Sequence, residues 1–415
     1  MRLDKPNPRI LLGQFKHRLM LRVKHFYSPH QLNKFESDLK RISSQPDFGI
    51  SKIIESAIDY TEKLRYRQKP YGQYLYKQSG KRPILYASVF AALFRHLVND
   101  LTRVSNAQRE EWANYIRSYQ CADGLFRDPL VANDIAEVED WWGWRHLTVL
   151  SLMALNALDS YPNYSLNFLE PFDNPSKVSH FIDDLDWGKS VSFTSNKVQN
   201  YVASLQYARD FLGYQSLDKS VKEFLNQISS RANPENGLWG SGLEDKDCAL
   251  SEGIQAGYHF WLLFWYEGIE IPYQDKVFSS LLRSQNKYGG FNLKSPYASA
   301  CEDIDSLYPM IEISLRNVHF RDASLSSAKL AIPFILTNFN RDGGACFVRG
   351  KEFVYGHPLM KSSISQSSIF ATWFRTLSLS YCINLISICE GKKNPFNFRY
   401  LACPGYQLKL SNYNT

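Results

Sequence analysis

A turn that recurs about every fifty residues constrains this chain more than any other feature. Gln120 opens Gln-Cys-Ala-Asp-Gly-Leu-Phe, and Gln285 opens Gln-Asn-Lys-Tyr-Gly-Gly-Phe. Asn233 opens Asn-Pro-Glu-Asn-Gly-Leu-Trp, and Asn340 opens Asn-Arg-Asp-Gly-Gly-Ala-Cys-Phe. Weaker copies stand at Asp186-Trp187-Gly188 and Pro70-Tyr71-Gly72. Glycines therefore recur at 72, 124, 188, 237, 290 and 344, at intervals of 52, 64, 49, 53 and 54. A period of this size, with one supersecondary unit in each, is the mark of a repeat architecture. Six such units favour a closed ring over an open array.

Each unit follows the same grammar. An apolar segment at helical spacing, such as Val277, Phe278, Leu281 and Leu282, leads into the turn. Glycine ends that helix because it enters the left-handed region without steric cost. A polar stretch follows, and then a more apolar helix with charged residues near its start. Segments 147–158 and 258–266 are apolar on nearly every face, as a helix buried on all sides is. Amphipathic helices alternating with buried ones fit two concentric rings: an all-α fold, an α/α toroid of about six helical hairpins. The alternative is an open helical solenoid, which would expose one face of every repeat. The expected divisions are a helical N-terminal extension over 1–60, the toroid over 61–390 and an irregular C-terminal tail over 391–415.

Composition narrows the classes. The seven cysteines are odd in number and contain no Cys-x-x-Cys, so neither a disulfide framework nor a zinc knuckle is expected. They read as small buried hydrophobes. The N-terminus lacks the clean apolar core of a secretory signal, and the expected setting is cytoplasmic. The apolar stretch from Phe370 to Ile388 is broken by Arg375 and Asn384 and reads as a buried helix, not a membrane span. Net charge is +7, and seven basic residues fall within the first 24 positions. Over residues 9–26 they interleave with apolar ones. That pattern suits a peripheral contact with an anionic membrane, or a helix packed outside the ring with its charges solvated. No nucleic-acid-binding motif accompanies the charge, so no nucleic-acid partner is expected. Walker A, G-x-G-x-x-G, G-x-S-x-G and H-E-x-x-H patterns are absent from the sequence, which leaves nucleotide-dependent chemistry without support.

Paired helices joined by a Gln-x-x-x-Gly-x-(Phe/Trp) turn resemble the terpenoid cyclase and protein prenyltransferase superfamily over residues 70–390. Gly289-Gly290-Phe291 followed by Glu302-Asp303-Ile304-Asp305-Ser306 is similar to the turn and acidic D-x-D-D motif of squalene–hopene-type cyclases. The resemblance implies protonation-initiated cyclisation of an isoprenoid in a central cavity. Aligned without gaps, Ile304 takes the acid's place. Slid by one residue, Asp305 takes it, with Asp303 and Glu302 assisting. Such an acid must stay protonated, which burial and a neighbouring carboxylate favour. The cation needs a dry, aromatic-lined cavity, and Trp142, Trp144, Tyr258, Trp261, Trp265 and Trp373 fall on the expected inner helices. The prenyltransferase branch implies zinc held by Asp, Cys and His. Asp247, Cys248, Cys301, Asp303 and His357 are its candidate pieces, but adjacent helical residues point about 100° apart. No metal or resident cofactor is expected. Mg²⁺ would enter only with a diphosphate substrate.

A second constellation points to different chemistry. Glu139, Asp140, Arg145 and His146; Glu252, Gln255, Tyr258 and His259; and His357, Gln366 and Arg375 cluster near the starts of inner helices. At helical spacing Trp142 shares a face with His146, and Gln255 with His259. Carboxylates, histidines and tryptophans around a mouth suit a glycan, with Trp stacking on sugar rings and His or Glu moving protons. The substrate-binding candidates are therefore Trp142, Arg145, His146, Glu252, Tyr258, His259 and Trp373. The activities this allows are those of a polysaccharide lyase, a glycoside hydrolase or a sugar epimerase. A third reading is a non-catalytic scaffold for a lipid or glycan. Each residue also has a structural role open to it. Carboxylates favour helix N-termini, arginines pair with buried acids, and histidines bridge packed helices.

Overall fold

A computed structural model describes residues 28–66, 70–188, 191–240 and 247–399. The basic segment 9–26 and the side chains of Asp247 and Cys248 lie outside the described part, as does the tail beyond Arg399. The described chain is mostly helical. In order, the helices are α1 (Pro29–Ser43), α2 (Ile50–Lys63), α3 (Leu85–Leu97), α4 (Asn106–Arg117), α5 (Trp144–Ala157), α6 (Ser176–Asp183) and α7 (Val191–Phe211). Then come α8 (Asp218–Ser229), α9 (Asp247–Tyr266), α10 (Gln274–Ser284), α11 (Ala300–Arg316), α12 (Arg321–Leu336) and α13 (Ile369–Glu390). The strands named among the described residues are β1 (Phe353–Val354) and β2 (Lys361–Ser362), an antiparallel pair. The all-α expectation therefore holds.

Helices α3, α5, α7, α9, α11 and α13 pack each on the next, and α13 returns to pack on α3. Side-chain contacts show that they run in the same sense. Toward their N-terminal ends, Asn200 of α7 donates to the Asp140 carbonyl just ahead of α5 at 2.7 Å. Ser192 of α7 reaches Glu252 of α9, and Ser251 of α9 reaches Glu302 of α11, each at 3.4 Å. Asp303 of α11 pairs with Arg375 of α13. Toward the other end, Gln206 of α7 donates to the Leu263 carbonyl of α9 at 3.1 Å, and Arg316 of α11 lies over the Trp265 ring of α9. Helices α4, α8, α10 and α12 each lie across two successive members of this cycle. Every residue of α3 is buried. Helix α13 is long and apolar enough to cross a membrane, yet 83% of its most apolar stretch is buried in the fold.

The recurrent turn proves to be a packing device. Gln285 Nε2 donates to the carbonyls of Gly289 in its own turn and Ser327 in α12, both at 3.0 Å. Its Oε1 accepts from Ser327 Oγ at 2.8 Å. Gln120 does the same, donating to the carbonyls of Gly124 and Tyr164 and accepting from the backbone N–H groups of Asn163 and Tyr164. One amide thus closes a turn and ties it to the next hairpin. Gly289 has φ +103°, and a Cβ there would stand 2.1 Å from the Leu330 carbonyl oxygen. The left-handed glycine in the doubled copies is the first of the pair, Gly289 or Gly343, and the weak copy at Gly188 lacks this backbone state.

The expected boundary at residue 60 falls inside α2, whose Tyr60 is fully buried and which packs on α13. Helix α1 packs on α12, with Phe35 set against Tyr288, Tyr297 and Phe334.

Candidate functional site

The acidic cluster at the start of α11 divides into three different roles. Ser299 caps the helix in a reciprocal capping box: Ser299 Oγ accepts from Glu302 N at 3.2 Å, and Glu302 Oε2 accepts from Ser299 N at 2.7 Å. Glu302 Oε1 also accepts from Asn292 Nδ2 at 2.6 Å. Asp303 is fully buried against Arg375, which donates onward to the carbonyls of Ala298 at 2.8 Å and Phe347 at 2.6 Å. Arg375 is 0% exposed. Burial pushes Asp303 up to about 7 despite the opposing pull of that guanidinium. Asp303 and Arg375 therefore clamp two loops ahead of α11 and α13.

Asp305 differs from both. It is 4% exposed and has no hydrogen bond or ion pair to a described residue. Burial, then the charges of Glu302 and Asp303, raise its carboxyl well above the usual range, which favours its protonated form. It borders a closely packed cleft with Ser251, Ile254, Gln255, Ser284, Phe291, Glu302 and Ser306. Those walls come from α9, α11, the end of α10 and the turn after it, so the cleft lies between helix layers.

A second group gathers where the N-terminal parts of α3, α5 and α7 meet the second half of α9, since His259 stands well inside that helix and not at its start as expected. His146 and His259 are both half-buried. Burial pushes His146 down to about 4, and burial followed by the neighbouring His146 ring pushes His259 down to about 3. Both imidazoles are neutral at pH 7. His259 Nδ1 stands 2.9 Å from Ser195 Oγ. The Asn200 amide approaches His146, but His146 Nδ1 and Asn200 Oδ1 both lack a hydrogen-bond partner among the described residues. Buried polar atoms left this way in a native protein mark water, ligand or catalytic use. The Tyr86 ring stacks beside His146 at 6.5 Å, and Tyr355 lies 6.4 Å from His146 and edge-on to Tyr86 at 5.4 Å, on the same side of the imidazole. Tyr86 donates to the Trp142 carbonyl, and burial keeps its phenol protonated.

The remaining expected site residues scatter around this mouth. Trp142 lies in the loop before α5, which begins at Trp144. The i, i+4 face expected for Trp142 and His146 therefore does not form. Trp142 is buried under Gly356, whose added Cβ would stand 2.1 Å from its indole. Arg145 is held by Asp140 in a bidentate pair at 2.6 and 3.0 Å. Gln255 and His259 also part company: Gln255 lines the Asp305 cleft, whereas His259 meets α7. Glu252 accepts from Ser192 at 3.4 Å. Tyr258 is buried edge-on to His259, and Trp373 stacks on Phe90. Of the zinc pieces, Asp303 is taken by Arg375, and His357 Nδ1 accepts from Leu359 N at 3.2 Å. The residues that sequence reasoning missed are Tyr86, Asn200, Ser195 and Tyr355. Tyr355 comes from the β1–β2 hairpin, and helical periodicity carries no signal for it. No protein-family model matches the chain, and no curated protein matches it.

Proposed function

We propose that the six-membered cycle and its outer partners form an α/α toroid of six hairpins, and that its N-terminal mouth is an acid–base site for a carbohydrate. The return of α13 onto α3 supports the ring. The paired neutral imidazoles of His146 and His259, one with an unsatisfied nitrogen, carry the functional reading. A neutral imidazole keeps a free lone pair at pH 7, and a bound acidic sugar beside it would offset the burial and bring its basicity back toward the operating pH. The buried phenols of Tyr86 and Tyr355 supply hydroxyls that return a proton, and Trp141 gives a partly exposed face for a sugar ring. Lyase and epimerase chemistry, which move a proton at a sugar carbon, can use this combination of base and acid. The test is turnover of a panel of neutral and acidic oligosaccharides, read by mass spectrometry, with His146→Ala and His259→Ala beside the parent. Turnover that survives both substitutions sinks the reading.

One observation favours the terpenoid-cyclase reading in second place. Asp305 is a buried carboxyl with no partner among the described residues, raised well above its ordinary range, as a proton donor to an isoprenoid alkene must be. Its cleft opens no space that holds even a water, against roughly 300–1,000 Å³ for ordinary ligand pockets, which places this reading second. A cyclised product from squalene or a prenyl diphosphate, lost in Asp305→Asn and kept in His146→Ala, would reverse the order. Binding of a lipid or glycan without turnover would leave the scaffold role.

A further inference from the structure

The contact between Ser195 and His259 fixes a proton as well as a distance. A serine hydroxyl carries one proton and two acceptor lone pairs. Ser195 Oγ has two neighbours within hydrogen-bond reach: the Ser192 carbonyl oxygen at 2.8 Å and His259 Nδ1 at 2.9 Å. The carbonyl, which also accepts from Asn196 Nδ2 at 2.7 Å, has no proton to give. The hydroxyl proton therefore lies between the two oxygens, since without it their lone pairs would face each other at 2.8 Å. Only lone pairs are left on Ser195 Oγ for the imidazole, so His259 Nδ1 is the donor. Ser195 is fully buried, and bulk water does not compete for its hydroxyl.

The His259 imidazole is neutral at pH 7 and has one proton to place. With that proton on Nδ1, the lone pair stands on Nε2, which has no hydrogen-bond partner among the described residues. A free histidine side chain favours the opposite form, with the proton on Nε2. The tautomer here is therefore imposed by the hydrogen bond at Nδ1. A hydroxyl imposes it without lending the ring the negative charge that a carboxylate would. His146 is not held in this way. Its Nδ1 is buried without a partner among the described residues, and Asn200 Nδ2 is turned to the carbonyl and carboxylate of Asp140 at 2.7 and 3.4 Å.

We propose that Ser195 is a positioning residue, which holds His259 as the Nδ1–H tautomer and makes Nε2 the atom that takes a proton from a bound substrate. Its use in turnover rests on the acid–base reading of the mouth, whereas the tautomer rests on the hydrogen bonds alone. In the transfer the proton goes to Nε2 and the bonding pair stays on the substrate atom. The imidazolium so formed keeps its Nδ1–H on Ser195, and no neighbour has to turn to accommodate the new charge.

Nitrogen-15 labelling of histidine in the full-length chain, read by long-range proton–nitrogen correlation at pH 7, tests the assignment. His259→Gln and His146→Gln identify the two rings by the signals each removes. In the parent, His259 is expected to show a protonated Nδ1 and an unprotonated Nε2. Ser195→Ala removes the acceptor and is expected to shift His259 to the Nε2–H form, while His146 keeps the pattern it has in the parent. An unchanged circular dichroism spectrum checks the fold of the variant. A His259 that carries its proton on Nε2 in the parent overturns the proposal, whether or not the variant folds. So does a folded Ser195→Ala chain that keeps the Nδ1–H form. No substrate enters these spectra, so failure of the assignment is distinct from failure of the sugar reading in the turnover assay.

Discussion

At the scale of single residues, the three acids of α11 show how neighbours in sequence take unrelated tasks. Asp305 holds its proton more tightly in the folded state than in the unfolded chain, where it ionises above about pH 4. The folded state then binds more protons, so this residue's contribution to stability falls as pH rises from that point toward its raised folded value. Asn mimics the neutral carboxyl. Asp305→Asn is therefore expected to raise the melting temperature relative to the parent, by a margin that grows as pH rises above about 4. A margin that stays flat with pH contradicts the protonated assignment. Asp303 predicts the opposite. Asp303→Asn leaves the Arg375 guanidinium buried and unpaired, at a cost of about 3–5 kcal/mol, measurable by urea denaturation. Adding Arg375→Met should recover only part of that, because Arg375 also holds the carbonyls of Ala298 and Phe347. A loss below about 1 kcal/mol in the single variant would mean the clamp is not formed. The cluster itself was legible in the sequence, and Ser299 three residues before Glu302 spells a capping box. The clamp was not, because Arg375 lies 72 residues from Asp303 and a lone arginine names no partner.

Among elements, the glycine turns were the legible part and the hairpin the illegible one. Period and composition placed the turns, since helix termination needs a residue tolerant of the left-handed state. Why glutamine precedes them became clear only from Gln285 and Gln120 reaching into the following segment. Gly289→Ala combines a left-handed penalty of about 1–2 kcal/mol with a clash against the Leu330 carbonyl. The expected loss is at least about 2 kcal/mol, read as a lower denaturation midpoint with an unchanged slope. A loss under about half a kcal/mol would mean α12 yields freely at this contact. The start of α5 was placed near enough to find His146, yet His259 lies past the middle of α9 and Trp142 was assigned to a helix that begins two residues later. Helix starts are uncertain when the loop before them is itself aromatic and buried, as Trp141 and Trp142 make this one.

For the molecule as a whole, the informative contacts join residues hundreds of positions apart. Phe35 in α1 is buried among Tyr288, Tyr297 and Phe334, and Tyr288 donates to Glu36 at 3.0 Å. Phe35→Ala is accordingly expected to cost about 3–5 kcal/mol, as a core truncation does, although it sits in a stretch that reads as an extension in the sequence. A change below about 1 kcal/mol would make α1 an appendage. The packing of α13 on α3 was half legible: the repeat number suggested that the last hairpin meets the first, but sequence alone does not show the contact. That meeting has a consequence for how such a chain changes over generations. A linear stack lengthens by copying a unit, because each unit touches only its neighbours. Here a copied hairpin would part α13 from α3 and alter the angle at every other contact. Growth is then confined to the loops at the two ends, and novelty in this molecule has to be written there.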